Sequence, residues 1–253
     1  MLSAGSISAA FDKAHAEERE QDYMQRSRNY STHELERLAE MLAETVKALE
    51  ANPDQDFLGE LFMRLGLSNE RSGQFFTPYH ICHFMAEICY GDDQEKKIED
   101  TGWVSVNEPT CGSGAMLIAY ANVCRKHKLN YQTDVLFVGQ DIDPIVACMC
   151  YLQISLLGCS GYVKIGDSLA EPLTSIDGRG LLPLPDSHVW YTPSYFRKEW
   201  DARREAFGLA QLIGELMNIQ NVKKAQPSLP SKTMPAAYHG ELSETEFGQL
   251  TFL

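Results

Sequence analysis

Three acidic residues, Glu108, Asp141 and Asp167, each follow a short apolar or β-branched run, at Trp103–Val106, Asp134–Val138 and Tyr162–Ile165. After the first acid the chain turns through Gly112 and Gly114, and a helical pattern begins at Ala115. Strand, glycine turn and helix, in that order, is how an α/β sheet opens a ligand site. Glycine suits the turn because a Cβ would hold a ligand off the backbone, and because such turns often need positive φ. The details choose among ligands. A dinucleotide fingerprint wants a third glycine three residues after the second, where this chain has Leu117. A phosphate loop needs a lysine, and none lies between Trp103 and Leu117. The carboxylate of Glu108 would repel a pyrophosphate but suits the α-amino group of a methionine. That combination points to S-adenosylmethionine (SAM); the plain alternative is an ordinary strand-to-helix turn.

Carboxyl ends of adjacent strands in an open α/β sheet face one crevice. The three acids at matching tips are therefore expected to converge on one ligand. Asp141, at the second tip, stands where a ribose diol is commonly gripped. Asp167 can accept from an adenine amino group, and Ile142 can pack on the ring face. Each acid taken singly reads equally as a loop residue or a helix cap.

The flanking elements follow from periodicity. Residues 1–28 are polar and mixed in charge, which suggests a loosely held helix. Ser31 with Glu34 forms a capping-box signature, and Leu35, Leu38, Leu42, Val46 and Leu49 follow at helical spacing. A second helix carries Leu58, Leu61, Phe62 and Leu65. Thr77-Pro78 reads as an N-cap and first-turn pair, ahead of a helix bearing Ile81, Phe84, Met85 and Ile88. Residues 91–101 read as a solvated connector. Asp143 with Pro144 starts a helix that is apolar nearly all round and should be buried. These elements predict an α/β, doubly wound, Rossmann-like sheet, truncated on one side, with an N-terminal helical layer. The expected divisions are a helical region over 1–70, a cofactor domain over 71–220 and a flexible tail over 221–253.

Composition sets the outer bounds. The chain has 253 residues, 44% hydrophobic and 23% charged, as in a soluble globular protein. No apolar run is long enough to span a membrane, and no basic-then-apolar leader stands at the start, so a cytoplasmic, nucleoid-associated protein is expected. Seven cysteines without a Cys-x-x-Cys pair read as reduced, mostly buried thiols. His80, Cys82 and His83 splay around a helix, so no metal site is expected. Net charge is −13, whereas unaided tight binding to nucleic acid draws on a basic surface. Contact with a polynucleotide would be local, around Arg125–Lys128 or Arg197–Arg204, or supplied by a partner.

Five stretches in order carry a resemblance: Asp56-Phe-Leu-Gly-Glu-Leu, Gly73-Gln-Phe-Phe-Thr-Pro78, Glu108-Pro-Thr-Cys-Gly-Ser-Gly114, Gly139-Gln-Asp-Ile-Asp143 and Gly166-Asp-Ser-Leu169. The chain resembles the N6-adenine DNA methyltransferases of the type I restriction–modification methylation-subunit family. The resemblance implies that Phe76 and Thr77 help hold the methionine end of SAM, and that Glu108 and the Gly112–Gly114 turn contact its amino-acid part. It also implies that Asp141 holds the ribose and that Ile142, Asp167 and Ser168 hold the adenine. The family's catalytic signature is Asn/Asp-Pro-Pro-Tyr/Phe at the fourth strand tip. There a side-chain oxygen and a carbonyl take the two protons of a poorly nucleophilic amine, and the aromatic ring stacks on a base flipped out of DNA.

At the expected place this chain has Thr192-Pro193-Ser194-Tyr195, and it contains no Pro-Pro. Thr192, Pro193 and Tyr195 are the catalytic candidates; the competing reading makes Thr192-Pro193 simply the start of the next helix. Losing one aimed polar partner costs about 10²–10³ in rate, so the expected function is a weakened adenine N6-methyltransferase. The alternative is an inactive SAM-binding scaffold or regulatory subunit. A third possibility is methylation of a non-DNA amine. No recognition domain follows, so a specificity subunit or other partner is expected to choose the DNA sequence. Gln249–Leu253 resembles a sliding-clamp docking peptide with its last two residues exchanged; a tail folded on its own core explains it as well.

Overall fold

A computed structural model describes residues 1–67, 76–186, 188–224, 242–244 and 250–252. Helices α1 (Leu2–Phe11), α2 (Ala16–Ser27), α3 (Thr32–Ala51), α4 (Phe57–Arg64), α5 (Tyr79–Tyr90) and α6 (Gln94–Thr101) precede the first strand. Then come β1 (Val104–Glu108), α7 (Ala115–Lys126), α8 (Tyr131–Asp134), β2 (Val135–Asp141), α9 (Pro144–Leu156) and β3 (Ser160–Ile165). Strand β4 (Val189–Tyr191), a 3-10 turn at Pro193–Phe196 and helix α10 (Lys198–Lys224) follow. Two short strands, β5 (Leu242–Glu244) and β6 (Leu250–Phe252), pair antiparallel. The chain divides into two compact units, Met1–Leu209 and Ala210–Leu253.

The sheet of the first unit has the order β1-β2-β3-β4, with β1, β2 and β3 parallel and β4 antiparallel to β3. Side chains alternate across it as the strand period requires. Val135, Phe137, Val163 and Trp190 face a core shared with Leu117, Ile118 and Val123 of α7 and with Tyr151 and Ile154 of α9. Leu136, Val138, Tyr162 and Val189 face a second cluster with Leu181, Tyr195 and Trp200. The sheet is therefore mixed and four-stranded, and the expected doubly wound arrangement needs correction. Its parallel strands succeed one another in chain order without reversal, and such crossovers of like hand fall on one face. Both crossover helices accordingly share the first core, and the other face is closed by Leu173 and Leu181 of the loop after β3 and by the start of α10.

The local signals that hold are those with a hydrogen-bond mechanism. Ser31 Oγ accepts from the Glu34 amide at 3.4 Å while Glu34 Oε2 accepts from the Ser31 amide at 2.7 Å, completing the capping box. Asp143 Oδ1 accepts from the Ile145 amide at 2.8 Å, with Pro144 at the first helical position.

Four expectations are corrected. The first 28 residues form two helices, and they are anchored: Ala4 and Ser8 are buried, and the Arg19 guanidinium lies 3.9 Å from the Trp190 ring centre while donating to the Val189 carbonyl at 3.1 Å. Residues 94–101 are helix, not connector. Pro78, not Thr77, holds the N-cap position of α5. That helix buries Cys82, Ala86 and Tyr90, leaving Phe84 and Ile88 about two-thirds exposed. The stripe of largest residues and the packed stripe differ because small residues let α5 approach α7 closely. Within the second unit α10 runs on to Lys224, and β5 and β6 follow. Of the docking peptide, Leu250–Phe252 is strand, while Gln249 and Leu253 lie outside the described residues.

Candidate cofactor site

The tips of β1, β2 and β3 are stitched together by main-chain hydrogen bonds. The Cys111 amide donates to the Gln140 carbonyl at 2.8 Å and the Gly166 amide to the Asp141 carbonyl at 2.9 Å. Asp141 adds its side chain: Oδ2 accepts from the Gly112 amide at 2.8 Å and Oδ1 from the Asp143 amide at 2.9 Å. One carboxylate thus joins the end of β2 to the glycine turn and to the start of α9. Gly112 (φ +54°) and Gly114 (φ +97°) both occupy the left-handed region, which other residues enter at a cost. A Cβ on Gly114 would also sit 2.9 Å from Cys150 Sγ.

Beside that turn is a cavity of ≈ 230 Å³ whose walls include Phe76, Thr77, Met85, Glu108, Gly112 and Ser113. Four of the expected cofactor residues therefore meet in one place: Phe76 and Thr77 from the entry to α5, Glu108 and Gly112 from the end of β1 and its turn. Glu108 Oε1 accepts from the Thr110 amide and hydroxyl, at 3.3 and 3.1 Å. The cavity is smaller than the ~300–1,000 Å³ that encloses a whole drug-sized ligand, so it suits the amino-acid end of a cofactor rather than all of it. Two larger cavities, ≈ 540 Å³ beside β1 and ≈ 730 Å³ between α3 and α4, contain none of the three strand-tip acids. Volume alone does not select the site.

The remaining candidates lie outside the cavity. Gly114 sits behind it, against Cys150. Ile142 is 68% exposed at the tip of β2. Asp167 is exposed and Ser168 half-buried on the loop after β3. There Asp167 Oδ1 accepts from the Leu169 and Ala170 amides at 2.9 and 3.3 Å, as a cap does.

Two cysteines line the cavity and both are protonated at neutral pH. Burial pushes the Cys82 thiol up to about 11. A hydrogen bond with the Cys150 side chain, and then burial, raise Cys111 well above the ordinary range. The site's charge therefore comes from Glu108, not from a thiolate. Six cysteines are buried and Cys89 alone is exposed, with all seven free. We expect a thiol reagent at pH 8 to label Cys89 rapidly and one further cysteine at most before unfolding, counted by intact-protein mass; rapid labelling of three or more would contradict the packing.

The catalytic candidates are not brought to this site. Because β4 runs antiparallel to β3, Thr192 follows it at the end where β1, β2 and β3 begin, opposite the strand tips. Thr192 is fully buried; its hydroxyl donates to the Cys159 carbonyl at 2.8 Å and accepts from the Gly161 amide at 3.0 Å. Pro193 opens the 3-10 turn, and the Tyr195 hydroxyl donates to the Leu181 carbonyl at 2.8 Å. Thr192, Pro193 and Tyr195 thus lie at the opposite edge of the sheet from the strand-tip cavity, with Pro193 opening the turn that leads to α10. Sequence reasoning also missed Gln140, whose buried amide donates to the Gly166 and Glu171 carbonyls and accepts from the Leu173 amide, so ordering the loop after β3. Its place directly before Asp141 was the only signal available.

Comparison with known proteins agrees with the motif series. The chain is 21% identical over 132 residues to a type I restriction enzyme methylase subunit, MjaIX, of Methanocaldococcus jannaschii, covering 52% of this chain and 20% of that protein. A solved type I restriction–modification methyltransferase subunit from Streptococcus thermophilus aligns at 22% identity and a TM-score of 0.31, over 38% of this chain and 19% of the other. The chain thus spans about a fifth of the length of these relatives. A family model described as N-6 DNA Methylase matches residues 56–205, more than half of the sequence, and the chain belongs to that family.

Proposed function

We propose that this chain is the SAM-holding part of an N6-adenine DNA methyltransferase, and that it does not transfer the methyl group to adenine by itself. The observation that carries the reading is the meeting of Phe76, Thr77, Glu108 and Gly112 around one cavity, with Asp141 bonded to the Gly112 amide. The donor set suits the cofactor: Glu108 complements an α-ammonium, the glycine turn lets a ligand approach the main chain, and Ile142 offers an uncovered apolar face to a purine. Phe76, Thr77, Glu108 and Gly112 would hold the methionine part, Asp141 the ribose, and Ile142, Asp167 and Ser168 the adenine. SAM would supply an activated methyl group on its sulfonium. Among the described residues, Thr192, Pro193 and Tyr195 do not supply the acceptor side at this edge. Thr192 is committed to closing the sheet, so residues that accept the adenine amino protons would come from a partner, and DNA and sequence choice with them. The scaffold reading thus takes precedence over a weakened stand-alone enzyme.

A calorimetric titration with SAM, paired with transfer of labelled methyl from SAM to mixed DNA, tests both halves. We expect one SAM bound per chain and no labelled adenine from the chain alone. Absence of heat and of any thermal shift at millimolar SAM would overturn the cofactor assignment. N6-methyladenine formed by the chain alone would overturn the division of labour and restore the enzyme reading.

A further inference from the structure

Beneath the glycine turn is a buried polar cluster that the site as described does not use. Ser113, between the two glycines, is almost wholly buried, and its hydroxyl donates to Asp56 Oδ2. Asp56 Oδ1 accepts from the Gly59 amide at 3.0 Å and from Gln153 Nε2 at 2.8 Å. Gln153 Nε2 also donates to the Ser113 carbonyl at 2.9 Å, and Gln153 Oε1 accepts from the Leu58 amide at 3.0 Å. Asp56 is 4% exposed and Gln153 fully enclosed. Two helices, α4 and α9, are thereby fastened to the underside of the turn.

A buried carboxylate is costly unless its oxygens are satisfied. Here three neutral donors converge on it, from a helix start, a turn and a second helix. A neutral amide could cap α4 with less desolvation, but it could not accept from all three at once. The fit is close: a Cβ on Gly59 would collide with Asp56 Oδ2 and Ser113 Oγ. The same loop is held twice more, by Asn122 Nδ2 donating to the Pro53 carbonyl at 2.8 Å and by the Tyr79 hydroxyl donating to Asp54 Oδ1 at 2.7 Å. Tyr79 follows Thr77 by two residues, so the Pro53–Asp56 loop bears on both walls of the cavity.

We propose that Asp56 and Gln153 are positioning residues for SAM: they hold the Gly112–Gly114 turn in its ligand-accepting shape and couple cofactor seating to helix α4. The proposal rests on the reading that the cavity beside Gly112 takes the methionine part of SAM. A turn with two glycines loses much backbone freedom on ordering, and a turn ordered beforehand spares that loss from the binding affinity. Coupling is reciprocal, so SAM should in turn steady α4.

The test measures SAM affinity by calorimetry for the native chain, Asp56→Asn, Ser113→Ala and the double variant, together with amide hydrogen exchange at Leu58 and Gly59. Each single change is expected to weaken SAM about tenfold or more. The double should be little worse than the poorer single, because both break one network. SAM should slow exchange at Leu58 and Gly59 in the native chain and leave it unchanged in Ser113→Ala. Native-like affinity in the variants with a lowered melting temperature, or α4 amides indifferent to SAM, would overturn the positioning role while leaving the cofactor reading intact. Failure of the native chain to bind SAM would overturn both. Should Asp56→Asn fail to fold, Ser113→Ala and the exchange data decide.

Discussion

Asp141→Ala is expected to weaken SAM binding about a hundredfold or more while the sheet stays folded. The side chain is half-buried and serves two backbone donors, the amides of Gly112 and Asp143. Hydrogen bonds to a charged group contribute about 1.5–3 kcal/mol each. Two of them hold the turn and the α9 start in place for the ligand, and a ribose diol would add its own. About 3 kcal/mol or more of lost binding corresponds to a factor of at least ~10². Asp141→Asn should be nearly as harmful, since an amide presents a donor to one of two N–H groups that each need an acceptor. Thermal melting should fall as well, by roughly 5–20 °C at about 2–4 °C per kcal/mol, because both hydrogen bonds are present without ligand. An affinity within twofold of native, measured by calorimetry on the folded variant, would show that Asp141 is merely a loop cap.

The parts of the molecule that could be read from sequence are those whose signal is local. The glycine turn, the Ser31–Glu34 box and the Asp143-Pro144 start each depend on residues within a few positions of one another, and each recurs in the structure. Glu108 and Asp141 were legible as strand-tip acids because a strand followed by Gly and helix places its last residues at the carboxyl edge. Asp56, Ser113 and Gln153 were not legible as a unit, since nothing local announces that residues 57 and 97 positions apart in pairs share one hydrogen-bonded cluster. The packed face of α5 was misjudged for a different reason. The large residues Ile81, Phe84 and Ile88 mark the more hydrophobic stripe, but close approach to α7 selects the stripe of Cys82 and Ala86.

Strand direction explains why the meeting of the strand-tip residues was readable and the place of Thr192 was not. Three parallel strands put their tips on one edge whatever their lengths. A fourth strand of only three residues carries no sequence signal for its sense, and its sense decides everything about the residues after it. Run parallel, Thr192 would stand on the same edge as Glu108 and Asp141, next to the tip of β3; run antiparallel, as it is, Thr192 stands at the far edge. The Pro and Tyr of Thr192-Pro193-Ser194-Tyr195 follow the order of the catalytic signature, while the surroundings of Thr192 and Tyr195 are those of a buried core.

Thr192→Asn, which restores the amide of the catalytic signature, is therefore expected to destroy stability rather than create activity. The threonine hydroxyl is fully buried, giving one hydrogen bond to the Cys159 carbonyl at 2.8 Å and taking one from the Gly161 amide at 3.0 Å. Leaving a buried amide or carbonyl unpaired costs about 1–3 kcal/mol, and forcing the longer asparagine into a site without free volume adds about 1–3 kcal/mol of overpacking. At about 2–4 °C per kcal/mol for a chain of this size, the melting midpoint should drop by roughly 5–20 °C. Thr192→Val, which keeps the shape and removes only the hydroxyl, should show the smaller part of that loss. Labelled methyl on adenine should be absent from both. A Thr192→Asn protein that melts like the native chain and methylates DNA would place this residue at the reacting edge of the sheet, and β4 would then have to run the other way.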